Sequence, residues 1–154
     1  MLPRSSVRRV LGTLVLAVAL PGLLPLCASA NSYSDALDRA SRMLPRQPEK
    51  IVIVERPTAP DQPAGKPREA FINLGEPTVY LVRQGATLQR ASEGPGIFDF
   101  ALAAIIWHEM AHIDGADEPA AQRAEEQLWK GFILGGRVDR TRGMQYLALL
   151  HGRR

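Results

Sequence analysis

Three residues whose side chains can perform metal chemistry lie in one short run: His108, Glu109 and His112. An α-helix places residues four apart on the same face, so the two imidazoles can reach one metal ion. The glutamate stands one residue after the first histidine and can reach a water molecule held at that ion. The run therefore predicts a metal site in which Glu109 accepts a proton.

A catalytic zinc site takes three protein ligands and leaves a fourth position open, so a third ligand is expected beyond the helix. Gly115 is expected to end the helix in a left-handed conformation, and Asp117 to cap the next helix. Glu118 follows this reversal and is expected to face inward. Glu125 lies two turns further along the same face, so it is the rival ligand or a partner of a histidine.

The spacing from His108 through Gly115 to Glu118 resembles a motif of the zincin metallopeptidases. It is similar to the metzincin pattern H-E-x-x-H-x-x-G-x-x-ligand, with glutamate in place of the usual histidine or aspartate. The segment 118–122 also resembles the E-x-x-A-D stretch of the gluzincins, in which Gln122 stands at the aspartate position. The two resemblances cover about residues 105 to 126 and agree on the same glutamate.

The resemblance implies a zinc peptidase in which His108, His112 and Glu118 bind Zn²⁺ and Glu109 is the general base. The substrate would be a peptide or a protein. Tyr146 and His151 are candidates for stabilising the oxyanion. The alternative is a zincin-like domain that binds zinc or a partner without turnover. A shell closed by both Glu118 and Glu125 would point to that alternative, because catalysis needs an open position.

The apolar pattern predicts the helices that position these residues. Residues 97–113 are apolar on nearly all sides, which indicates a helix buried at the centre of the fold. A second helix is expected from Asp117 towards Phe132, closed by Gly135-Gly136. A last helix, from about 141 to 151, is expected to carry Met144, Leu147 and Leu150 on one side. Trp107, Trp129 and Tyr80 are interpreted as core residues.

Short β-branched runs predict a small sheet. Residues 51–54 and 78–82 are expected strands, and residues 70–74 are a candidate third. The segment 56–69 holds four prolines and predicts an extended loop. Thr78–Val82 is a candidate exposed edge that could hold a peptide by strand addition. Ser34 is expected to cap a short helix that ends before Pro45. The fold class is therefore α+β: a small zincin-like domain with a short sheet packed on an active-site helix and a following ligand helix.

Residues 1–30 predict a secretory signal peptide. Arg4, Arg8 and Arg9 precede the apolar run 10–26, and Ala28-Ser29-Ala30 forms a small-x-small cleavage site. An uncleaved membrane anchor is the alternative. The remaining part, residues 31–154, is expected to form a single zincin-like metallopeptidase domain in the periplasm or outside the cell, with a bacterial source favoured.

Charge and cysteine content narrow the function classes. Without the three leader arginines, the 19 basic side chains become 16 and balance the 16 acidic ones, so no nucleic-acid partner is expected. Cys27 is the only cysteine. The part after residue 30 therefore offers neither an intramolecular disulfide nor a thiolate ligand. Contact with a membrane is expected only through an uncleaved leader.

Overall fold

The computed structural model describes residues 26–55 and 68–151, and it has the α+β architecture that the sequence predicts. The elements in chain order are α1 (Leu26–Ser41), β1 (Lys50–Val54), β2 (Ala70–Ile72), β3 (Thr78–Val82), α2 (Ala86–Ser92), α3 (Ile97–Ile113), α4 (Glu118–Leu134) and α5 (Arg140–His151). The predicted Pro-rich loop falls mainly on residues 56–67, which lie outside the described ranges, as do residues 1–25 of the predicted leader. Within those ranges, none of the helices is both long and apolar enough to cross a lipid bilayer.

The sheet is mixed, with the strand order β1-β3-β2. β1 pairs with β3 in parallel, starting from Lys50 opposite Thr78, and β2 pairs antiparallel, with Ala70 opposite Leu81. The prediction that Thr78–Val82 forms an exposed edge is therefore wrong. Because β3 has a paired strand on each side, it offers no free edge to which a peptide could add.

The start of α3 is tied to two other helices by a buried ion pair. Asp99 is 2% exposed, accepts the backbone N–H of Gly96 at 2.9 Å and lies 3.1 Å from the Arg39 guanidinium of α1. Arg39 also donates to the carbonyl of Ala91 in α2 at 2.6 Å. A buried carboxylate is tolerated because these donors replace the water that it has lost. The pair fixes the helix that carries both histidines.

α3 runs through the core and packs on α4, on the sheet and on the first two helices. Its middle residues from Ala101 to Ala104 are all buried, as is Ile106. The predicted span, 97–113, is confirmed at both ends. A helix that is covered on nearly all sides has little freedom to move, so its last turns present the histidines from a rigid support.

α5 is anchored to α4 through Trp129, which is fully buried. The indole N–H donates to the carbonyl of Gly143 at 2.8 Å, and the indole ring lies 4.0 Å from that of Tyr146. Leu147 is buried as predicted, but Met144 is 54% exposed, so its predicted place among the packed residues of this helix is wrong.

One local expectation is wrong, and one helix was not predicted. Ser34 lies inside α1, which already begins at Leu26, because the preceding alanines continue the helix instead of ending it at a cap. The sequence analysis did not predict α2, which has seven residues and no side-chain cap. The buried residues of α2 are Thr87, Leu88 and Ala91, and only the last two are apolar. Two apolar residues in a segment this short do not distinguish a helix from a loop.

Candidate metal centre

The turn between α3 and α4 brings the two parts of the predicted motif together. Gly115 has φ +89°, the left-handed conformation that the sequence predicts. The N–H of Ala116 donates to the carbonyl of Ala111 at 2.9 Å, which closes the end of α3. Asp117 then caps α4 by accepting the N–H of Ala120 at 2.9 Å, also as predicted. Glu118 follows at once and therefore lies beside the last turns of α3.

The same turn orients His112. Its Nδ1 lies 2.9 Å from the carbonyl oxygen of Ala116. A carbonyl can only accept, so Nδ1 carries the proton and donates it. In the neutral ring, Nε2 is then unprotonated and has its lone pair free. The backbone of the turn thus sets the tautomer that a metal ligand needs.

His108 is oriented from the other side by Glu125. Its Nδ1 lies 3.2 Å from the Oε2 atom of Glu125, and both side chains are largely buried. The ring Nδ1 makes no hydrogen bond of good angle in the described ranges, so this is a close contact between the imidazole and the carboxylate. Glu125 therefore lies at the Nδ1 side of the ring, and Nε2 points elsewhere.

Three ligand atoms converge on one point. The Nε2 atoms of His108 and His112 lie 3.1 Å apart. The Oε2 atom of Glu118 lies 3.2 Å from the Nε2 of His112 and 3.6 Å from that of His108. Two nitrogen lone pairs that face each other repel unless a proton or a cation lies between them, so the arrangement fits a bound metal ion.

The separations can be compared with those of a zinc centre. Bonds of 2.0–2.2 Å in a tetrahedron place neighbouring ligand atoms about 3.3–3.6 Å apart. The three separations in the structure, 3.1, 3.2 and 3.6 Å, lie close to this range. The donor set of two imidazoles and one carboxylate can thus hold a metal ion.

Glu118 is positioned differently from the sequence-based expectation. Its side chain is 60% exposed, so the prediction that it faces inward is wrong. It lies at the first turn of α4. Gln122, one turn later, donates to its Oε1 at 2.7 Å and leaves Oε2 towards the histidines. Burial raises the pKa of Glu118, but the hydrogen bond from Gln122 and the nearby imidazoles outweigh this and lower it overall.

Glu109 lies next to the convergent ligands and is largely buried. Burial raises the pKa of its carboxyl group above the ordinary value, while the imidazoles of His108 and His112 lower it in part. The charge of Glu118 raises it again, and that of Arg68 lowers it. A carboxylate that is held in a poorly hydrated place binds a proton more readily, which suits a proton acceptor.

The two candidate carboxylates have separate places. Glu118 belongs to the group of convergent ligand atoms, whereas Glu125 contacts the opposite nitrogen of His108. Tyr146 donates its hydroxyl to the Oε1 atom of Glu125 at 3.1 Å, so this tyrosine also lies on the far side of the ring. It does not occupy the place expected for a group that stabilises an oxyanion. The side chain of His151 lies outside the described residues.

The sequence analysis missed two neighbours of the site. Arg68, which is exposed and precedes β2, is near enough to act on the charge of Glu109. It lies at the end of the Pro-rich segment 56–69 and belongs to no periodic pattern. Gln122 was noted only as a departure from the gluzincin aspartate, yet it holds the ligand carboxylate itself. Its spacing of four residues from Glu118 on one helix was the available signal.

Comparisons of the chain with protein-family profiles, with curated protein sequences and with solved structures gave no match. The geometry of the cluster formed by His108, His112 and Glu118 therefore carries the functional conclusion. That geometry is consistent with a zincin-like site.

Proposed function

We propose that this protein is an exported zinc-dependent metallopeptidase that cleaves peptide bonds. The observation that carries the proposal is the convergence of three ligand atoms, all within 3.6 Å of one another, beside the largely buried Glu109. The Nδ1 of His112 is bonded to the carbonyl of Ala116 and that of His108 lies beside Glu125, which leaves both Nε2 atoms for a metal ion. Export is inferred from the leader-like residues 1–30 alone.

Zinc is the metal that best fits the donors. Imidazole and carboxylate ligands in a tetrahedral set of three are characteristic of catalytic zinc sites. Thiolates are not needed, which agrees with a chain whose only cysteine is Cys27. A hard cation such as Mg²⁺ prefers six oxygen atoms, and two imidazoles supply none of them.

The exposure of the cluster favours catalysis over a purely structural role. A structural zinc site is closed by four protein ligands. Here Glu125, the only candidate fourth ligand from the sequence, contacts the far nitrogen of His108. Glu118 is largely exposed, so the ligand cluster is open to solvent on its side. Water and a substrate carbonyl can approach there.

The residues of the chain have distinct tasks in the proposed reaction. When bound, zinc lowers the pKa of a water molecule and polarises the substrate carbonyl. Glu109 accepts the proton of the attacking water and donates it to the leaving amine, so it acts first as base and then as acid. Burial raises its pKa, which makes it the better proton acceptor for the first of these transfers. His108, His112 and Glu118 hold their positions through Glu125, Ala116 and Gln122.

The test is to measure zinc content and peptide hydrolysis on the same preparations of wild type and Glu109→Gln. The amide keeps the shape of the side chain but cannot accept the proton. We expect equal zinc and a loss of hydrolysis of about 100- to 10,000-fold. Glu93→Gln is the matched control, because Glu93 is exposed at the end of α2, and we expect no change.

Three results would contradict the proposal in different ways. Wild type that binds no zinc would remove its basis. Unchanged hydrolysis in Glu109→Gln would assign the activity to another site or to a contaminant. A wild type that holds zinc and cleaves nothing in a broad peptide library would favour the non-catalytic alternative, in which the domain binds zinc or a partner without turnover.

A further inference from the structure

We propose that Tyr146, on the last helix, is a positioning residue of the metal centre and acts through Glu125 on His108. The inference rests on the proposed metal site and extends it to α5, none of whose described side chains belongs to the cluster. It depends on a chain of contacts from the hydroxyl of Tyr146 to a carboxylate, and from that carboxylate to the imidazole ring.

The first contact fixes the carboxylate of Glu125. Its Oε1 accepts the hydroxyl of Tyr146 at 3.1 Å, while its Oε2 lies 3.2 Å from the Nδ1 of His108. The two oxygens thus have different partners, and a carboxylate with both oxygens occupied has one preferred orientation. Its side chain is only 8% exposed, so water cannot readily replace the tyrosine.

The second contact fixes His108. A carboxylate at the far nitrogen of a ligand imidazole sets its tautomer, orients the ring and makes the other nitrogen a better donor. The contact with Glu125 is close but poorly angled for a hydrogen bond. The orientation of the carboxylate therefore decides how well the ring is held, and Tyr146 controls that orientation.

Tyr146 is itself held rigidly. Its ring lies 4.0 Å from that of the fully buried Trp129, whose N–H is bonded to the carbonyl of Gly143 on the helix of the tyrosine. Packing against Trp129 therefore fixes the Tyr146 ring, and with it the position of the hydroxyl. Removal of the hydroxyl alone, as in Tyr146→Phe, should leave this stacking intact.

The experiment compares the zinc affinities of wild type, Tyr146→Phe, Glu125→Gln and the double variant, by competition with a chromophoric chelator. Loss of a direct partner of a ligand histidine typically weakens metal binding by about 10- to 100-fold. We expect this for Glu125→Gln and, one step further out, a loss of about three- to tenfold for Tyr146→Phe. Because the tyrosine acts through the carboxylate, the double variant should bind no more weakly than Glu125→Gln alone.

Tyr80→Phe is the matched control. Tyr80 also donates its hydroxyl to a glutamate, Glu76, at 2.6 Å, but this pair lies at the surface of the sheet. We expect its zinc affinity to equal that of wild type. The thermal midpoints of the metal-free proteins show whether a variant has lost its fold, which a loss of zinc affinity alone does not.

The outcomes separate this inference from the proposed function. A wild type without zinc overturns the proposed function. A wild type that binds zinc, together with a Tyr146→Phe variant of equal affinity, overturns only the role of Tyr146. Independent, additive losses in the double variant would also overturn it, because the tyrosine would then act by another route than Glu125.

Discussion

The two nitrogens of each histidine ring have different surroundings, and this asymmetry decides what the site can do. His112 has its Nδ1 on the carbonyl of Ala116, and His108 has its Nδ1 beside Glu125. Each ring therefore offers Nε2 to the same point, together with Glu118. Residue types alone would have allowed either nitrogen to face the metal; the partners of Nδ1 remove that choice.

Substitutions of the two carboxylates distinguish a ligand from its supporting partner. Glu118→Ala removes a convergent oxygen, so we expect a loss of zinc affinity greater than about 100-fold. Glu125→Ala removes only the partner of His108, so we expect a loss of about 10- to 100-fold. Chelator competition measures both. If Glu125→Ala released the metal while Glu118→Ala retained it, the roles assigned to the two residues would be reversed.

The zinc affinity should decrease as the pH is lowered, because protons compete with the metal for the imidazoles. Burial lowers the pKa of His108, but the contact with Glu125 and the charges of Glu109 and Glu118 raise it above the ordinary value of 6.5. Competition should therefore begin at a higher pH than for an ordinary histidine. Titrations between about pH 6 and about pH 8 with wild type and Glu125→Gln measure it.

The metal-free protein should show the opposite trend. A pKa that is raised in the folded state adds stability that is complete below the unfolded value and is lost as the pH rises through the folded value. The metal-free protein should thus lose part of its unfolding free energy as the pH rises from about 6 towards 8. In Glu125→Gln the main source of the raised pKa is gone. A wild type and a variant with the same pH dependence would contradict this account of His108.

At the scale of elements, the turn between α3 and α4 is what assembles the site. Gly115 reverses the chain, and the following residues supply the Ala116 carbonyl for His112, the cap Asp117 and the ligand Glu118. One short turn thus sets both the tautomer of a histidine and the position of a carboxylate. A substitution that disturbs this turn should therefore affect both the fold and the metal site.

We expect Gly115→Ala to destabilise the protein by about 1–2 kcal/mol. At φ +89° the backbone is left-handed, and a residue with a Cβ adopts this conformation only at a cost. No atom lies within 4 Å of the added carbon, so the cost is conformational and not steric. Zinc affinity should fall as well, since a shift of the turn moves Ala116 and Glu118. Chemical denaturation and chelator competition measure the two effects.

Gly131→Ala is the control, and it should change the stability in the opposite direction. Gly131 lies in an exposed part of α4, and an added Cβ would meet nothing within 4 Å. Alanine in a helix interior is favoured over glycine by about 0.5–1 kcal/mol, so this variant should be more stable and bind zinc normally. Equal effects of the two substitutions would show that the left-handed turn is unimportant.

At the scale of the whole molecule, features with a local cause could be predicted from the sequence and those that depend on distant packing could not. The span of α3, the turn at Gly115 and the cap at Asp117 each follow from neighbouring residues. The place of Glu125 depends on how α4 crosses α3, so the sequence left it open as ligand or partner. The inner position of β3 depends on which strands pair with it, and no periodicity shows that.

The helix α1 spans the predicted cleavage site after Ala30, so cleavage would remove its first turn. Several of its contacts with the core come later in the chain: Ala36 and Ala40 are fully buried, and Arg39 pairs with Asp99. A protein that begins at Asn31 keeps these contacts. We therefore expect export to yield a folded domain starting at Asn31, which mass spectrometry of the exported product checks. A product that begins at Met1, or that carries lipid on Cys27, would contradict the predicted leader.

The stability of the chain that begins at Asn31 can be compared with that of a shorter chain that begins at Arg42. It lacks the two buried alanines and Arg39, so Asp99 stays buried without its cation. Breaking a buried pair by removal of one partner costs about 3–5 kcal/mol. For a domain of this size we expect the thermal midpoint to fall by at least about 10 °C relative to the chain that begins at Asn31. Similar midpoints for the two chains would mean that α1 is dispensable, and that the Arg39–Asp99 pair does not hold the helix of the metal ligands in place.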